Sequence, residues 1–192
     1  MVTLSKQISL AALVGVSLGL FAPKFAQADS VSDLFNTGVD GSGNVLPDMT
    51  SPDPHYTVVS GGDGSVAAPV VVHPSNPTPP YVGPNTTSAW LEPTTTNTAY
   101  DYQTTFTLPA GATNLAITGE VAVDNTLIGV LINGFNVGTY ASGASLTNLT
   151  SSGSAAFTGF NNVAFTIPDA DLLTGTNTLT FITGNQSFTA SG

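Results

Sequence analysis

The sequence predicts an all-β protein, an antiparallel β-sandwich of jelly-roll type with about eight to ten short strands and long loops. Two observations predict this fold. After position 98, apolar and polar residues alternate with a period of two, which is the pattern of strands with one buried face. Before position 98, proline and glycine recur too often for long helices or long inner strands to form.

The first 28 of the 192 residues have the three parts of a secretory signal. Lys6 supplies a positive start, residues 8–22 form an apolar run, and "AQA" at 26–28 is a small-residue cleavage site. A membrane anchor is the alternative, but the apolar run is shorter than the roughly 20 residues that span a bilayer. We therefore expect an exported protein that loses residues 1–28 and keeps residues 29–192 as a single domain.

The charge of the chain excludes several kinds of partner. Its formal net charge is −10, and its only basic residues, Lys6 and Lys24, lie in the predicted signal. Residues 29–192 then hold all twelve acids and no Lys or Arg. Binding to nucleic acid or to an anionic membrane surface needs cationic side chains, so we expect neither. The chain has no cysteine and therefore no disulfide framework.

The part of the chain before position 98 predicts three short strands within turn-rich sequence. A cluster of prolines at 74–84 separates the last two of them and predicts a crossing loop or a polyproline stretch. The three predicted strands are "HYTVV" at 55–59, "VAAPVVVH" at 66–73 and "SAWLE" at 88–92.

The later part predicts longer strands from its alternation, together with one helical turn. "PDADLL" at 168–173 predicts this turn, with Asp169 as its N-terminal cap. Four sets of alternating residues predict the buried faces of successive strands: Tyr100, Tyr102, Thr104, Phe106 and Leu108; Leu115, Ile117, Val121 and Val123; Val163, Phe165 and Ile167; Leu179 and Phe181.

A strand that is apolar on both faces is expected at Thr126–Ile132, in the middle of a covered sheet. Asn133 and Gly134 follow it, and this pair is the strongest short hairpin signal because both residues tolerate positive φ. Residues 136–140 would return as the partner strand. The hairpin would thus join two neighbouring strands of one sheet.

Asp124 and Asn125 interrupt the apolar run just before that strand. Such side chains cap backbone donors in a tight connection, and this structural role is the first interpretation. The functional alternative is a loop at the sandwich edge that holds a ligand hydroxyl or a Ca²⁺ ion, which prefers carboxylate and carbonyl oxygens. The alternating acids of a calcium loop are lacking here, so the sequence assigns no cofactor.

Six features of the sequence occur together in this order: "FNTGVD" at 35–40, "DPHYTVV" at 53–59, Trp90 before "EP", "AYDYQTTFTL" at 99–108, "VDNTLIGVLING" at 123–134 and "GTNTLTF" at 175–181. Together they resemble secreted bacterial proteins that usually carry a PEP-CTERM sorting tail. This resemblance implies a galactose-binding-like β-sandwich and leaves the activity open. The hairpin also resembles one in jelly-roll accessory domains of glycoside hydrolases. The sequence ends in "NQSFTASG" without the tail, so we expect either a fragment or a released protein.

The first functional hypothesis is a non-catalytic module that binds polysaccharide or forms part of a cell-surface matrix. Sugar sites combine flat aromatic faces with side chains that bond hydroxyls. Trp90, which lies between a polar loop and "LEP", is the candidate for an exposed aromatic platform. Asp53 and His55 belong to the most distinctive polar cluster, although a buried His55 bonded to a backbone carbonyl is the structural alternative.

Two other classes of function stay open. A glycoside hydrolase would need paired carboxylates, for which Glu92, Glu120, Asp101 and Asp124 are available. No serine-hydrolase elbow and no zinc motif supports an enzyme, and we expect no catalytic residues. The third class is a structural surface protein without a soluble ligand, which would assemble through its strand edges or its Thr- and Asn-rich face.

Overall fold

The computed structural model of the protein describes residues 2–5, 31–47, 51–60, 69–72, 86–93, 99–123, 126–137, 139–140 and 164–184. These residues form antiparallel sheets, which confirms the all-β class, while the jelly-roll topology stays a prediction. The strands in chain order are β1 (Val2–Ser5), β2 (Thr57–Ser60), β3 (Val70–Val72), β4 (Trp90–Glu92), β5 (Ala99–Leu108), β6 (Ala116–Val121), β7 (Thr126–Ile132), β8 (Phe135–Asn136), β9 (Thr139–Tyr140), β10 (Ala164–Pro168) and β11 (Gly175–Gly184).

Two sheets supply the main layers of the fold. One has the strand order β1-β6-β10-β9, and the other has the order β2-β5-β11-β7-β8. The pairing of β11 with β5 covers ten residues of each strand and makes this the longest ladder described. A separate pair of strands, β3 and β4, forms a small third sheet.

The core lies between the two larger sheets. Phe165 of one sheet meets Phe181 of the other edge to face, with ring centroids 5.8 Å apart. Each ring is 1% exposed, so each burial contributes about 1.5–3 kcal/mol. The alternating faces expected from the sequence are confirmed where they are described: Tyr100, Thr104, Phe106, Leu108, Leu115, Ile117, Val121, Val123, Phe165, Ile167, Leu179 and Phe181 are all buried, and Tyr102 is partly buried. Val163 lies outside the described residues.

The strand Thr126–Ile132 and its turn are confirmed, but the return strand differs from the expectation. Asn133 and Gly134 have φ values of 52° and 84°, and β7 pairs across them with the two-residue strand β8. The chain then leaves this sheet, and β9 pairs with β10 in the other sheet. Residues 136–140 are therefore not one return strand, because Asn136 and Thr139 belong to opposite layers.

The helical turn expected at 168–173 is a 3-10 turn at Asp169–Asp171. Asp169 does not cap it, because its side chain makes no capping hydrogen bond there. Its carboxylate instead accepts the backbone N–H groups of Asn114 at 3.2 Å and Leu115 at 3.3 Å. Asp169 therefore anchors the loop before β6, where Asn114 has a positive φ of 57°.

The start of the chain contributes the edge strand β1, although residues 1–28 were expected to form a removable signal. β1 pairs with β6 in the register Val2 to Val121 and Ser5 to Thr118. Removal of the predicted signal would take this strand away from the sheet. The apolar run at 8–22 and the cleavage site at 26–28 lie outside the described residues.

Candidate functional site

Asp53, a predicted site residue, is the most buried acid of the described chain and is 2% exposed. Its carboxylate accepts three backbone N–H groups, from Gly38 at 2.5 Å, from His55 at 2.7 Å and from Tyr56 at 2.8 Å. Backbone donors thus take the place of the Lys or Arg that residues 29–192 lack. Asp53 ties two separate segments together at one point.

Burial raises the pKa of Asp53 above its ordinary value of 3.8. The three N–H donors and the nearby His55 act in the opposite direction, because they favour the charged carboxylate. Burial also raises the pKa of Tyr56, and the charge of Asp53 adds to this effect. The Tyr56 hydroxyl stays protonated and donates to the carbonyl oxygen of Phe35 at 3.1 Å.

Backbone hydrogen bonds join the four segments around Asp53 in two pairs, and the Asp53 carboxylate links the two pairs into one body through the N–H of Gly38. The N–H of Asp53 donates to the carbonyl of Pro69, and that of Val71 donates to Ser51, each at 2.9 Å. Thr37 exchanges two hydrogen bonds with Ala89, one through its carbonyl at 2.9 Å and one through its hydroxyl at 2.7 Å. The described residues 51–60, 69–72 and 86–93 are therefore tied to residues 31–47.

The backbone of Gly38 packs tightly against Ala89 within this body. A Cβ atom at this position would be 2.5 Å from the Cβ of Ala89, and the φ of Gly38 is +70°. Both the space and the backbone conformation require glycine there. Gly38 thereby brings Asp53, which binds its N–H, close to the strand that begins at Trp90.

His55 is half-buried and stacks on Phe35. The ring centroids are 3.8 Å apart and the ring planes differ by 10°. The Nε2 atom of His55 is buried and has no hydrogen-bond partner among the described residues, so the expected bond to a backbone carbonyl is not formed by that atom. The structure brings Asp53 and His55 together, but the carboxylate binds the His55 backbone.

Trp90 is not an exposed platform, and that prediction is wrong. Its side chain is 6% exposed, and it begins β4 opposite Val72 of β3. The preceding Ser88 and Ala89 are fully buried because that stretch is bonded to Thr37 instead of forming an exposed polar loop. Trp90 therefore contributes to the packing of the body around Asp53.

The capping role and the Ca²⁺ site were both predicted for Asp124 and Asn125. Asp124 and Asn125 lie outside the described residues, so neither the capping role nor the Ca²⁺ site is tested. Within the ranges that are described, no group of three or more His, Asp or Glu side chains is placed to hold a metal ion. The calcium hypothesis thus stays tied to the undescribed Asp124.

The carboxylates considered for hydrolysis lie on separate sheets. Glu92 is exposed on β4 in the two-stranded sheet, and Glu120 is exposed on β6 in the sheet that also holds β10. Asp101 is half-buried on β5 in the sheet that also holds β11. No two of these three carboxylates share a sheet, and the hydrolase stays an untested alternative.

A second polar centre lies at the Asn133 turn. The side-chain oxygen of Asn133 accepts the N–H of Thr178 at 3.0 Å, and its backbone N–H donates to the carbonyl of Thr178 at 2.8 Å. Its amide nitrogen donates to Asn177 Oδ1 at 3.0 Å and to the carbonyl of Asp171 at 3.3 Å. The hairpin turn is thus bonded to the start of β11 and to the 3-10 turn.

Asn177 completes this centre and is fully buried. Its amide nitrogen donates to the carbonyl of Leu173 at 2.7 Å and to that of Gly175 at 3.1 Å. Its oxygen accepts the N–H of Leu173 at 2.8 Å in addition to the amide of Asn133. We call the paired side chains of Asn133 and Asn177 the amide clamp.

Two large apolar side chains are exposed beside the amide clamp. Phe135, which follows the turn, is 76% exposed, and Leu173, whose backbone binds Asn177, is 55% exposed. Asn136 next to Phe135 is also exposed. Sequence reasoning missed Phe135, although an aromatic residue immediately after an Asn-Gly turn is placed at a hairpin tip by that turn.

Comparison of the sequence with protein-family models and with curated proteins found no match, and comparison of the structure with solved structures found none either. Within the described ranges, no helix is both long enough and apolar enough to cross a membrane. The arguments for function therefore depend on the residues of this chain.

Proposed function

We propose that this protein is an exported, non-catalytic β-sandwich module that binds polysaccharide through Phe135. The observation that carries the proposal is the exposure of this ring, 76%, on a hairpin turn held by the amide clamp. A flat aromatic face suits the apolar face of a sugar ring, and the amide of Asn136 suits its hydroxyl groups. Phe135 replaces Trp90 as the proposed platform.

The rigidity of the turn supports binding at this position. The ring lies two residues from Asn133, whose side chain and backbone together make four hydrogen bonds to residues 171–178. A platform that is ordered before the ligand arrives loses less conformational freedom on binding. These hydrogen bonds therefore hold the turn that carries Phe135.

Charge supports an uncharged polysaccharide as the ligand. Asp169 and Asp171 are both exposed on the 3-10 turn whose carbonyl binds Asn133. After loss of residues 1–28 the chain has no Lys or Arg to attract an anionic polymer. The negative field of the module would repel polyanionic glycans and would leave neutral ones unaffected.

Export is the second part of the proposal. The apolar run and the small-residue cleavage site of the first 28 residues support it, as does the resemblance to PEP-CTERM-type secreted proteins. The same resemblance supports attachment to a cell-surface matrix. A structural surface protein without a soluble ligand is the competing function, and a failure to bind any glycan would favour it.

A pull-down of the purified protein against insoluble neutral, acidic and amino-sugar polysaccharides tests the proposal. We expect retention on a neutral polymer, loss of retention with Phe135→Ala, and retention unchanged in Leu173→Ala. Leu173→Ala is the matched control, because it removes another exposed apolar side chain without removing a ring. Equal losses in both variants would indicate non-specific adsorption and would contradict the proposal.

A further inference from the structure

The outer edge of β6 is covered by a strand that export would remove. β6 pairs with β10 on one side and with β1 on the other. In the second pairing Val2 and Leu4 lie opposite Val121 and Gly119, which are both buried positions. β1 thus pairs along the outer side of β6 and forms the edge of this sheet.

Removal of residues 1–28 would take β1 away from the outer edge of β6. This inference therefore rests on the export proposed above. Among the residues that the structure describes, only β1 pairs with the outer side of β6, so the backbone N–H and C=O groups there would lose their strand partner. Such a row is a ready template for another strand, and proteins protect exposed edges with Lys, Pro, bulges or a covering segment. The sequence of β6, "AITGEV", has Glu120 as its one charge and contains no Lys or Pro.

The pattern of β6 is complementary to itself. Ile117, Gly119 and Val121 are buried, while Glu120 is exposed and Thr118 is half-buried on the alternate face. Antiparallel pairing of two β6 strands about Gly119 places Ile117 opposite Val121 of the second copy, with both on the core side. Thr118 then lies opposite Glu120 of the second copy, so two equal charges never face each other directly.

We propose that two processed copies of this chain pair through their β6 edges in this register and form a two-fold dimer. The two sheets become one continuous antiparallel sheet, and the second copy takes the place of β1. An isologous interface of this kind uses the same strand on both subunits and closes on itself. The dimer leaves Phe135 free, because β8 belongs to the other sheet.

Sedimentation velocity over a range of concentrations tests the dimer. The protein is expressed as the full chain in an exporting host and collected from the medium, and intact mass establishes that residues 1–28 are absent. We expect a concentration-dependent dimer.

Two substitutions at Thr118 test the register of the dimer. Thr118→Glu places two like-charge pairs across the interface and should weaken dimerisation by about 2- to 30-fold. Thr118→Lys faces Glu120 of the second copy and should keep or tighten the dimer.

Thr105→Glu is the matched control, because it adds the same charge at an exposed position of β5, which lies between β2 and β11. It should leave the dimer unchanged. Three results would overturn the inference: a secreted protein that keeps residues 1–28, a monomer at all concentrations, or equal effects of Thr118→Glu and Thr118→Lys. Glycan retention measured on the same samples separates this inference from the binding function, since Thr118 and Phe135 lie in different sheets.

Discussion

Two regions of the molecule are each organised by one buried polar side chain, but the two side chains differ in charge. Asp53 joins residues 31–47 to residues 51–60 through an acceptor-only carboxylate that takes three backbone N–H groups. Asn177 joins the hairpin to β11 through an amide that both donates and accepts. The first centre carries a charge that titrates, and the second is neutral.

The difference shows how a chain with almost no basic residues satisfies its buried polar groups. Backbone donors compensate Asp53 where only donors converge, and an amide is used at Asn177, where two carbonyls and two N–H donors converge. Each side chain therefore matches the polar groups around it. Replacement of the carboxylate by an amide at position 53, or of the amide by a carboxylate at position 177, should therefore lower the free energy of unfolding.

The largest effect is expected for Asn177→Asp. The new carboxylate would face the carbonyls of Leu173 and Gly175 without a donor of its own, inside a fully buried site. We expect a loss of about 3–5 kcal/mol in the free energy of unfolding near neutral pH, measured by denaturant titration. The loss should shrink in acid, because a protonated carboxyl regains a donor. Asn136→Asp adds the same charge at an exposed position and should cost less than about 0.5 kcal/mol.

Gly38→Ala should give the next largest effect in the region around Asp53. The added methyl group would overlap the side chain of Ala89, and the φ of +70° is strained for alanine. We expect a cost of about 2–4 kcal/mol in the free energy of unfolding. Gly41→Ala is the matched control, since no atom lies within 4 Å of the place that its Cβ would occupy. Similar stabilities of the two variants would contradict the tight packing of Gly38 against Ala89.

Asp53→Asn should have the smallest of the three effects. The variant turns one acceptor into a donor near the N–H of Gly38, and we expect a cost of about 2 kcal/mol near neutral pH. Because burial raises the folded-state pKa, the contribution of Asp53 is complete below pH 3.8 and declines as the pH rises through the raised pKa. The stability difference between wild type and Asp53→Asn should therefore fall with rising pH.

Asp40→Asn serves as the comparison, because the stability difference between wild type and this variant should depend on pH in the opposite direction. The amide of Asn44, with the N–H groups of Asn44 and Ser42, lowers the pKa of Asp40 in its exposed loop. Its contribution is therefore present above pH 3.8 and is lost as the pH falls through the lowered pKa. Unfolding measured between about pH 2 and pH 7 should give differences of opposite slope. Parallel slopes for the two variants would contradict this account of Asp53.

The sequence predicted the parts of the fold that local patterns determine. The alternation in β5 assigned its buried face, and the apolar run before Asn133 gave the bounds of β7. Residues near Trp90 were misjudged because their burial depends on Thr37, which is more than 50 positions away and gives no local signal. The early end of the hairpin was missed for a similar reason, since β9 pairs with a distant strand in the other sheet.

The amide clamp also could not be predicted from the sequence. Asn133 was identified as a turn residue, but its partner Asn177 looks like any polar residue in "GTNTLTF". The contact between them spans 44 positions and is made by the folding of β11 against β7. The proposal of Phe135 as a binding platform depends on this long-range contact, because the contact orders the turn that carries Phe135.

The most direct test of the proposed function is a binding isotherm of the protein on a neutral insoluble polysaccharide, at low and high salt, for wild type and Phe135→Leu. Leucine keeps an apolar side chain at the hairpin tip but removes the flat ring. The account predicts saturable binding that does not depend on salt and that weakens at least about tenfold in the variant, which corresponds to about 1.4 kcal/mol. Equal isotherms for the two proteins would contradict Phe135 as the platform.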